Sequence, residues 1–292
     1  MAYVLQTDGK MNFSVEALPT SASGSVSPAA TLIPPTGMKL LTETTDSNGN
    51  IYLGGTMTSG GGEVAVYAPG STGAATPTRV IAGSNTGILS PLSMVADASG
   101  QLYISDLIVG STLIFAGDAN GNVAPVRTIN DDIGFGMALD AAGNFYLAGF
   151  PGNAGVAVFG PTANGNVMPT RIIQGSATNL TSITEIFVDS NNNLWASNLG
   201  GPIAVLEFAP TANGNVAPIR TITGAATTFA NPEGIAVGSD GKIYVCDVAG
   251  FDHDTGPSID IFAADASGNV APLEQITSPQ WTETLDAVFS LY

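Results

Sequence analysis

Five oxygen-bearing side chains are the main candidates for chemistry in this sequence. They occupy two recurring positions of a repeated segment and are Glu185, Asp286, Asn198, Asp247 and Asp106. Carboxylate and amide oxygens are the ligands that calcium and magnesium prefer. The chain has 24 Asp and Glu against 7 Lys and Arg, so a hydrated acidic rim without a specific ligand is the alternative. The pattern makes these residues candidate ligands of Ca or Mg, and it leaves both interpretations open.

The single cysteine and the single histidine form a second candidate pair. Cys246 and His253 lie seven residues apart, and a Cys–His pair can activate a nucleophile. Small residues fill the position of Cys246 in other repeats, namely Ser105, Ala148 and Ser197. We therefore expect a buried structural thiol, and we assign no catalytic residue and no organic cofactor.

All four arginines occupy one position of the repeat. They end the tripeptides Pro77-Thr-Arg79, Pro125-Val-Arg127, Pro169-Thr-Arg171 and Pro218-Ile-Arg220. Separations of 48, 44 and 49 residues are typical of propeller blades. Proline and a charged residue together suit an outermost strand, where they discourage edge pairing. We expect these arginines to lie at the surface, with at most a small effect on stability.

The clearest copy of the repeat runs from Glu233 to Ile276. Short turns at Ser239-Asp-Gly and Ala266-Ser-Gly-Asn269 divide it into four strands, here called A to D from the innermost to the outermost. A proline recurs near the start of each strand D, at Pro28, Pro77, Pro125, Pro169, Pro218 and Pro272. The sequence predicts an all-β fold, a six-bladed β-propeller of four-stranded antiparallel blades.

The two ends of the chain complete one blade. Ala2–Gln6, Asn12–Leu18 and Pro28–Ile33 read as strands B, C and D without a strand A, whereas Leu285–Tyr292 follows the last blade as a surplus strand A. We predict that the C-terminal strand, at Leu285–Phe289, pairs beside Ala2–Gln6 and closes the ring, because closure removes exposed sheet edges. Residues 1–292 then form a single propeller domain.

One segment resembles a known repeat family. Asn231-Pro-Glu-Gly-Ile-Ala-Val, followed by Asp240-Gly-Lys-Ile-Tyr-Val-Cys-Asp247, is similar to NHL repeats, and the other copies keep the same frame. The resemblance implies a propeller and covers most of the chain. It does not choose a function, since such propellers include scaffolds, binding modules, lyases and lactone hydrolases.

Two Asp-x-Asn-x-Asn runs resemble the start of a calcium-binding loop. Asp118-Ala-Asn-Gly-Asn122 and Asp189-Ser-Asn-Asn-Asn193 lack the glutamate at the twelfth position and fall in predicted hairpin turns. Asp and Asn also bond turn amides through their side chains. We expect turn chemistry at both runs.

The amino-acid composition restricts the classes of molecule that this protein can bind. A net charge of −17 repels nucleic acid and anionic lipid and favours cationic partners. No apolar run approaches the ~20 residues of a membrane span. One cysteine allows no internal disulfide. We expect a monomer. No signal peptide is recognisable, and the lysine-poor composition favours an exported or cell-envelope protein whose signal is absent from this sequence.

The leading hypothesis is a non-enzymatic scaffold or binding module. It would bind an unknown protein or small-molecule ligand through the channel face and the B–C loops, where the blades differ most. The alternative is a divalent-metal-dependent hydrolase. By resemblance, lactonase propellers hold a cation with Glu, Asn and Asp, and Glu185, Asn198 and Asp247 supply those residue types.

Overall fold

The structure is a computed structural model. It describes residues 2–7, 13–19, 21–130, 134–149, 154–248, 257–278, 281 and 289–291.

Short strands make up nearly all of its regular structure. In the first half they are β1 (Ala2–Thr7), β2 (Phe13–Leu18), β3 (Gly24–Ser25), β4 (Ala30–Leu32), β5 (Met38–Thr45), β6 (Ile51–Met57), β7 (Gly62–Tyr67), β8 (Arg79–Ala82), β9 (Pro91–Ala96), β10 (Leu102–Asp106), β11 (Ser111–Phe115) and β12 (Arg127–Ile129). In the second half they are β13 (Gly134–Leu139), β14 (Phe145–Gly149), β15 (Gly155–Phe159), β16 (Arg171–Gln174), β17 (Ile183–Val188), β18 (Leu194–Asn198), β19 (Ala204–Phe208), β20 (Arg220–Ile222), β21 (Pro232–Val237), β22 (Ile243–Asp247), β23 (Ser258–Phe262), β24 (Glu274–Thr277) and β25 (Phe289–Leu291). Two 3₁₀ turns, Ser176–Thr178 and Ala225–Thr227, lie between blades.

Antiparallel hairpins join these strands into blades. Among the described residues the sheets are β25-β1-β2-β4, β5-β6-β7-β8, β9-β10-β11-β12, β13-β14-β15-β16, β17-β18-β19-β20 and β21-β22-β23-β24 with β3 added at its outer edge. We number these sheets as blades 1 to 6 in that order. Each inner strand contacts the inner strand of the next blade, and β25 lies between β21 and β5. The predicted class, an all-β propeller of four-stranded antiparallel blades, is confirmed.

The C-terminal strand closes the ring, as expected. β25 runs antiparallel to β1, with Phe289 opposite Val4 and Leu291 opposite Ala2. Pairing was expected over Leu285–Phe289. The described strand is instead Phe289–Leu291, and residues 285–288 lie outside the described part of the chain.

The core is a series of apolar layers between neighbouring blades. Successive side chains of a strand point to opposite sheet faces. In β18, Trp195 accordingly packs toward blade 6, whereas Ala196 packs toward blade 4. Both are buried. Each sheet therefore contributes to two layers, and a blade exposes an apolar face if its neighbour is removed.

Backbone bonds join the C–D turn of one blade to strand D of the preceding blade. Gly121 N donates to Val80 O at 2.6 Å, and Ala82 N donates to Gly121 O at 3.3 Å. The same parallel contact recurs around the ring, at Leu32–Gly73, Ile81–Gly121, Ile129–Gly165, Ile173–Gly214, Ile222–Gly268 and Ile276–Gly24. These glycines have φ between 61° and 75°, in the left-handed region that other residues rarely adopt. The repeated glycine is therefore a requirement of the blade junction.

The asparagines beside these glycines reinforce the junction. Asn120 Oδ1 accepts Val80 N at 3.1 Å, and Asn122 Oδ1 accepts Asn85 N at 2.7 Å. Both donors belong to the preceding blade. The amide oxygens of the Asp118–Asn122 run thus bond the backbone of the preceding blade, whereas the turn interpretation expected bonds to the amides of its own turn.

The repeated arginines also connect blades, which corrects the surface role expected for them. Arg127 lies over the ring of Tyr103 in its own blade, with Cζ 5.6 Å from the ring centroid. Its Nη1 donates to Pro161 O at 2.9 Å and to Ala163 O at 3.1 Å, both in the next blade. The other three arginines make the same arrangement with Tyr52 and Ala119, Tyr146 and Ala212, and Trp195 and Ala264.

We predict that Arg127→Ala lowers the free energy of unfolding by about 1–3 kcal/mol, because it removes a cation–π contact and charge-assisted bonds across a blade junction. Chemical denaturation measures the change. Val126→Ala is the matched control, since Val126 is the exposed neighbour and should change stability by no more than ~0.5 kcal/mol. Equal, small effects of both variants would contradict a role for Arg127 in holding neighbouring blades together.

Candidate functional site

Asp106, one of the predicted metal ligands, anchors two loops of blade 3. It is fully buried at the end of β10. Its Oδ2 accepts Leu89 N and Ser90 N, each at 2.8 Å. Its Oδ1 accepts Ile108 N and Val109 N, each at 3.0 Å. Four backbone amides therefore occupy the carboxylate, and they tie the loop before β9 to the B–C loop.

Asn198 and Asp247 occupy the same position in blades 5 and 6. Asn198 Oδ1 accepts Thr181 N at 2.8 Å and Ser182 N at 3.1 Å, in the loop before its own inner strand. Asp247 makes the equivalent bonds with Ala230 N and Asn231 N. Burial, the largest influence, raises the pKa of Asp247 to about 6, while those bonds act in the opposite direction. Each side chain therefore anchors a loop of its own blade through hydrogen bonds.

Glu185 lies on inner strand β17, where the blades converge on the channel. Its Oε1 accepts Ile186 N at 2.9 Å and Met137 N of blade 4 at 3.3 Å. Burial raises its pKa to about 8, against the effect of those two bonds. Glu185 as a whole residue keeps partial exposure to solvent, although neighbouring protein atoms surround its carboxyl group. Gly136 makes the room, because a Cβ there would lie 3.0 Å from Glu185 Oε1.

The described residues do not assemble the five candidates into one ligand set. Among them, no group of three or more His, Cys, Asp or Glu side chains could hold a metal ion. Asp286 lies outside the described residues. The calcium or magnesium site therefore stays a prediction. Glu185 and Asp286 are its main candidates. In the described part of the chain, backbone amides bond both carboxylate oxygens of Asp106 and Asp247 and the amide oxygen of Asn198, but only Oε1 of Glu185.

Cys246 is a structural thiol, as expected. It is fully buried in an apolar layer with Ala236 and Ile259. Burial, followed by the nearby carboxylates of Glu233, Asp247 and Asp260, raises its pKa well above the ordinary value. A thiol in this state is a weak nucleophile. His253 lies outside the described residues.

A cluster of exposed apolar side chains marks the face where Asp106 holds its loops. Leu107, Ile108 and Val109 form the B–C loop of blade 3, here called the apolar loop tip, and Ile108 is 66% exposed. Leu89, also exposed, lies beside them because its N–H shares the Asp106 carboxylate with the loop. Contiguous exposed apolar residues of this kind mark interaction sites in soluble proteins.

A cleft on the blade 2 side contains Leu89 in its wall. This glycine cleft has a volume of about 370 Å³ and is lined by Gly60, Gly61, Glu63, Ser84 and Leu89, among others. Burial alone raises the pKa of the half-buried Glu63. Leu89 belongs to both the cleft and the exposed cluster, so the two features meet at this residue.

The sequence indicated that the blades differ most in their B–C loops, but it did not predict this surface. The run Leu107-Ile108-Val109 was the available signal, since three consecutive large apolar residues between two strands are out of place in a turn. The contribution of Leu89 comes from another loop. Only the bonds to Asp106 bring the two segments together.

The helices that the structure describes include none long and apolar enough to cross a membrane.

Comparisons with known proteins agree on the fold. A profile of the NHL repeat matches residues 229–251, which include the segment identified above as similar to this family. A protein of unknown function from Bacteroides caccae has a similar structure, with a TM-score of 0.62 and 9% identity over 99% of this chain and 97% of that chain. The WD40 β-propeller domain of Doa1 gives a TM-score of 0.57 and 12% identity over 94% of this chain and 81% of that chain. No curated protein matches the chain in sequence.

We predict that Glu185→Gln stabilises the protein at alkaline pH. The folded-state pKa of Glu185 is raised from 4.5 to about 8, so its stabilising contribution is complete below pH 4.5 and is lost as the pH rises through 8. The variant should be more stable than the parent by ~1–3 kcal/mol at about pH 9, and equal to it at about pH 4. Asp118→Asn, which removes an exposed charge, controls for net charge. A stability difference that is independent of pH would contradict the assignment.

A second prediction tests the cation site. If Glu185 and Asp286 bind calcium in the folded state, millimolar calcium chloride raises the melting temperature, since a ligand of the folded state stabilises it. Glu185→Gln should abolish that increase, and Asp118→Asn should retain it. A melting temperature that does not respond to calcium or magnesium would remove the case for the site.

Proposed function

We propose that this propeller is a non-enzymatic binding module. Its partner is a protein segment that combines apolar and basic side chains and docks on the face formed by the apolar loop tip and the glycine cleft. The observation that carries the proposal is the exposed group Leu89, Leu107, Ile108 and Val109, held in place by a buried carboxylate. An apolar surface fixed in this way loses little conformational freedom on binding.

The loop tip is preorganised by specific bonds. Asp106 accepts the amides of Ile108 and Val109, and Leu107 N donates to Ser90 O at 2.9 Å. Gly110 closes the turn with φ 68°. These bonds direct backbone groups inward and leave the apolar side chains outside, which accounts for their exposure.

The glycine cleft supplies charge complementarity. Glu63 adds a carboxylate next to Leu89, on a chain with a net charge of −17. Gly62 lets the segment that carries Leu89 pack closely against β7, because a Cβ there would lie 2.6 Å from Ile88 Cγ2. A lysine or arginine side chain suits this cleft, while an apolar neighbour in the same segment covers the loop tip.

The hydrolase alternative is not favoured. It would use Asn198 and Asp247 as ligands, but both accept backbone hydrogen bonds from the loops before their own inner strands. In the part of the chain that the structure describes, no specific observation supports a reaction at the channel.

A peptide-display selection tests this proposal. Random peptides selected on the parent protein should pair Lys or Arg with aliphatic or aromatic residues. Ile108→Asp should weaken their binding by about tenfold or more, because it places a charge at the centre of an apolar contact. Glu63→Gln should weaken binding and reduce its dependence on salt. Fluorescence anisotropy measures both changes.

Ile219→Asp is the matched control for this test. Ile219 is 58% exposed on the outer edge of blade 5, so the same substitution there should leave peptide affinity unchanged. Peptides that bind Ile108→Asp as tightly as the parent, or that lack basic residues, would overturn the proposal.

A further inference from the structure

A separate cavity lies in the cleft between blades 3 and 4. Its volume is about 230 Å³, and its walls include Leu147, Ala157, Phe159 and Ile172. These residues lie on the face of blade 4 that is directed toward blade 3, since Leu147 and Phe159 pack with Tyr103 of that blade. The cavity reaches the B–C loop end of blade 4, where Gly149 and Gly155 line it, but none of its described lining residues belongs to the apolar loop tip or to the glycine cleft.

Comparison with the two neighbouring blades shows where side-chain volume is missing. Ala157 pairs with Leu147 and Ile172 in the centre of its blade. The equivalent residues are Leu113 in blade 3 and Leu206 in blade 5, and both are buried. Blade 4 thus has alanine where its two neighbours fill the cleft with leucine.

The ends of the adjoining strands also carry smaller residues than those of blade 3. β14 ends at Gly149 and β15 begins at Gly155, and both glycines line the cavity. In blade 3 the corresponding pair is Asp106 and Ser111. Three truncated positions therefore coincide in one blade. A core normally closes such voids, because unfilled space costs stability.

The chemistry of the walls defines the ligand class. Leu147, Phe159 and Ile172 provide apolar surface, while Asn130 and Gln174 contribute amide groups. No charged side chain occurs among the described residues that line the cavity. Arg171, next in sequence to Ile172, lies on the opposite face, over the ring of Tyr146. Among these described lining residues, an ion of either sign has no charged partner.

The cavity has a suitable volume for a small ring system, and it is open to solvent. The volume of about 230 Å³ exceeds the ~150 Å³ of a dry apolar cavity that binds benzene. Val167 and Ile172 line the cavity and are also exposed to solvent, at 37% and 41%. The cavity therefore opens to the outside of the ring.

We infer that the cleft between blades 3 and 4 is a binding site for a small uncharged aromatic molecule of one or two rings with a single polar group. The rings pack against Leu147, Phe159 and Ile172, and the polar group bonds the amides of Asn130 or Gln174.

Indole, which is neutral, bicyclic and has one N–H donor, is the probe. In a titration followed by ¹H–¹⁵N NMR, the amides of Gly155, Ala157 and Ile172 should shift and saturate. Ala157→Leu places in blade 4 the side chain that blades 3 and 5 already have, and it should weaken indole binding by at least about tenfold.

Two further variants keep the test decisive if Ala157→Leu does not fold. Ile172→Thr removes part of a wall on a partly exposed strand and introduces the residue found at the equivalent Thr128 and Thr221. It should weaken indole binding several-fold. Val80→Thr makes a similar change at the equivalent position of blade 2 and should leave indole affinity unchanged. No saturable shifts at Gly155 and Ala157, or equal affinity in Ile172→Thr and the parent, would overturn the inference.

Discussion

The junction between the C–D turn of one blade and strand D of the preceding blade is the contact on which the rest of this molecule depends. A four-stranded antiparallel sheet has two apolar faces and cannot cover either alone. Here the peptide groups at a turn glycine, such as Gly165, form a short parallel ladder with the neighbouring blade. Because the chain is a ring, each junction also limits the opening of the others. The junction from blade 6 to blade 1 differs, since β3 forms a longer parallel pair with β24, and Trp281 Nε1 donates to the buried Glu16 at 2.7 Å.

This rigid ring allows individual blades to depart from the repeat. Asp106 is buried and organises an exposed apolar loop in blade 3, whereas Gly149 at the end of the equivalent strand borders a cavity in blade 4. Glu185 occupies a channel position that is Gly136 in the preceding blade, and the glycine provides the space for its carboxylate. The scaffold tolerates buried acids and voids at these positions because the junctions lie elsewhere, at the outer strands. Function is thus expected where the repeat breaks, and stability where it is kept.

Much of the fold could be predicted from the sequence because its signals are local and repeated. Proline near each strand D, turn motifs such as Asn164-Gly-Asn166 and the surplus C-terminal strand specify blades and closure. The partners of the arginines could not be read in the same way, since Arg127 bonds Ala163 about one blade further along the chain. A signal did exist, because an aromatic residue recurs on strand B of the blades that carry the arginine. The acidic residues were assigned to a shared site because they align in the repeat. Alignment of the repeats gives the position of a residue within its blade. It does not show whether the side-chain oxygens point into the channel or accept hydrogen bonds from the loops of the same blade.

Native-state hydrogen exchange at the junction amides tests the central claim most directly. The N–H groups of Gly121, Gly165 and Gly214 each donate to strand D of the preceding blade. If the junctions hold the ring together, these amides exchange only when the whole domain unfolds, with the same free energy of opening as buried strand amides such as that of Ile114. Exchange of the glycine amides at a much lower free energy, while the strand amides stay protected, would show that the blades remain folded without their junctions and would contradict the account.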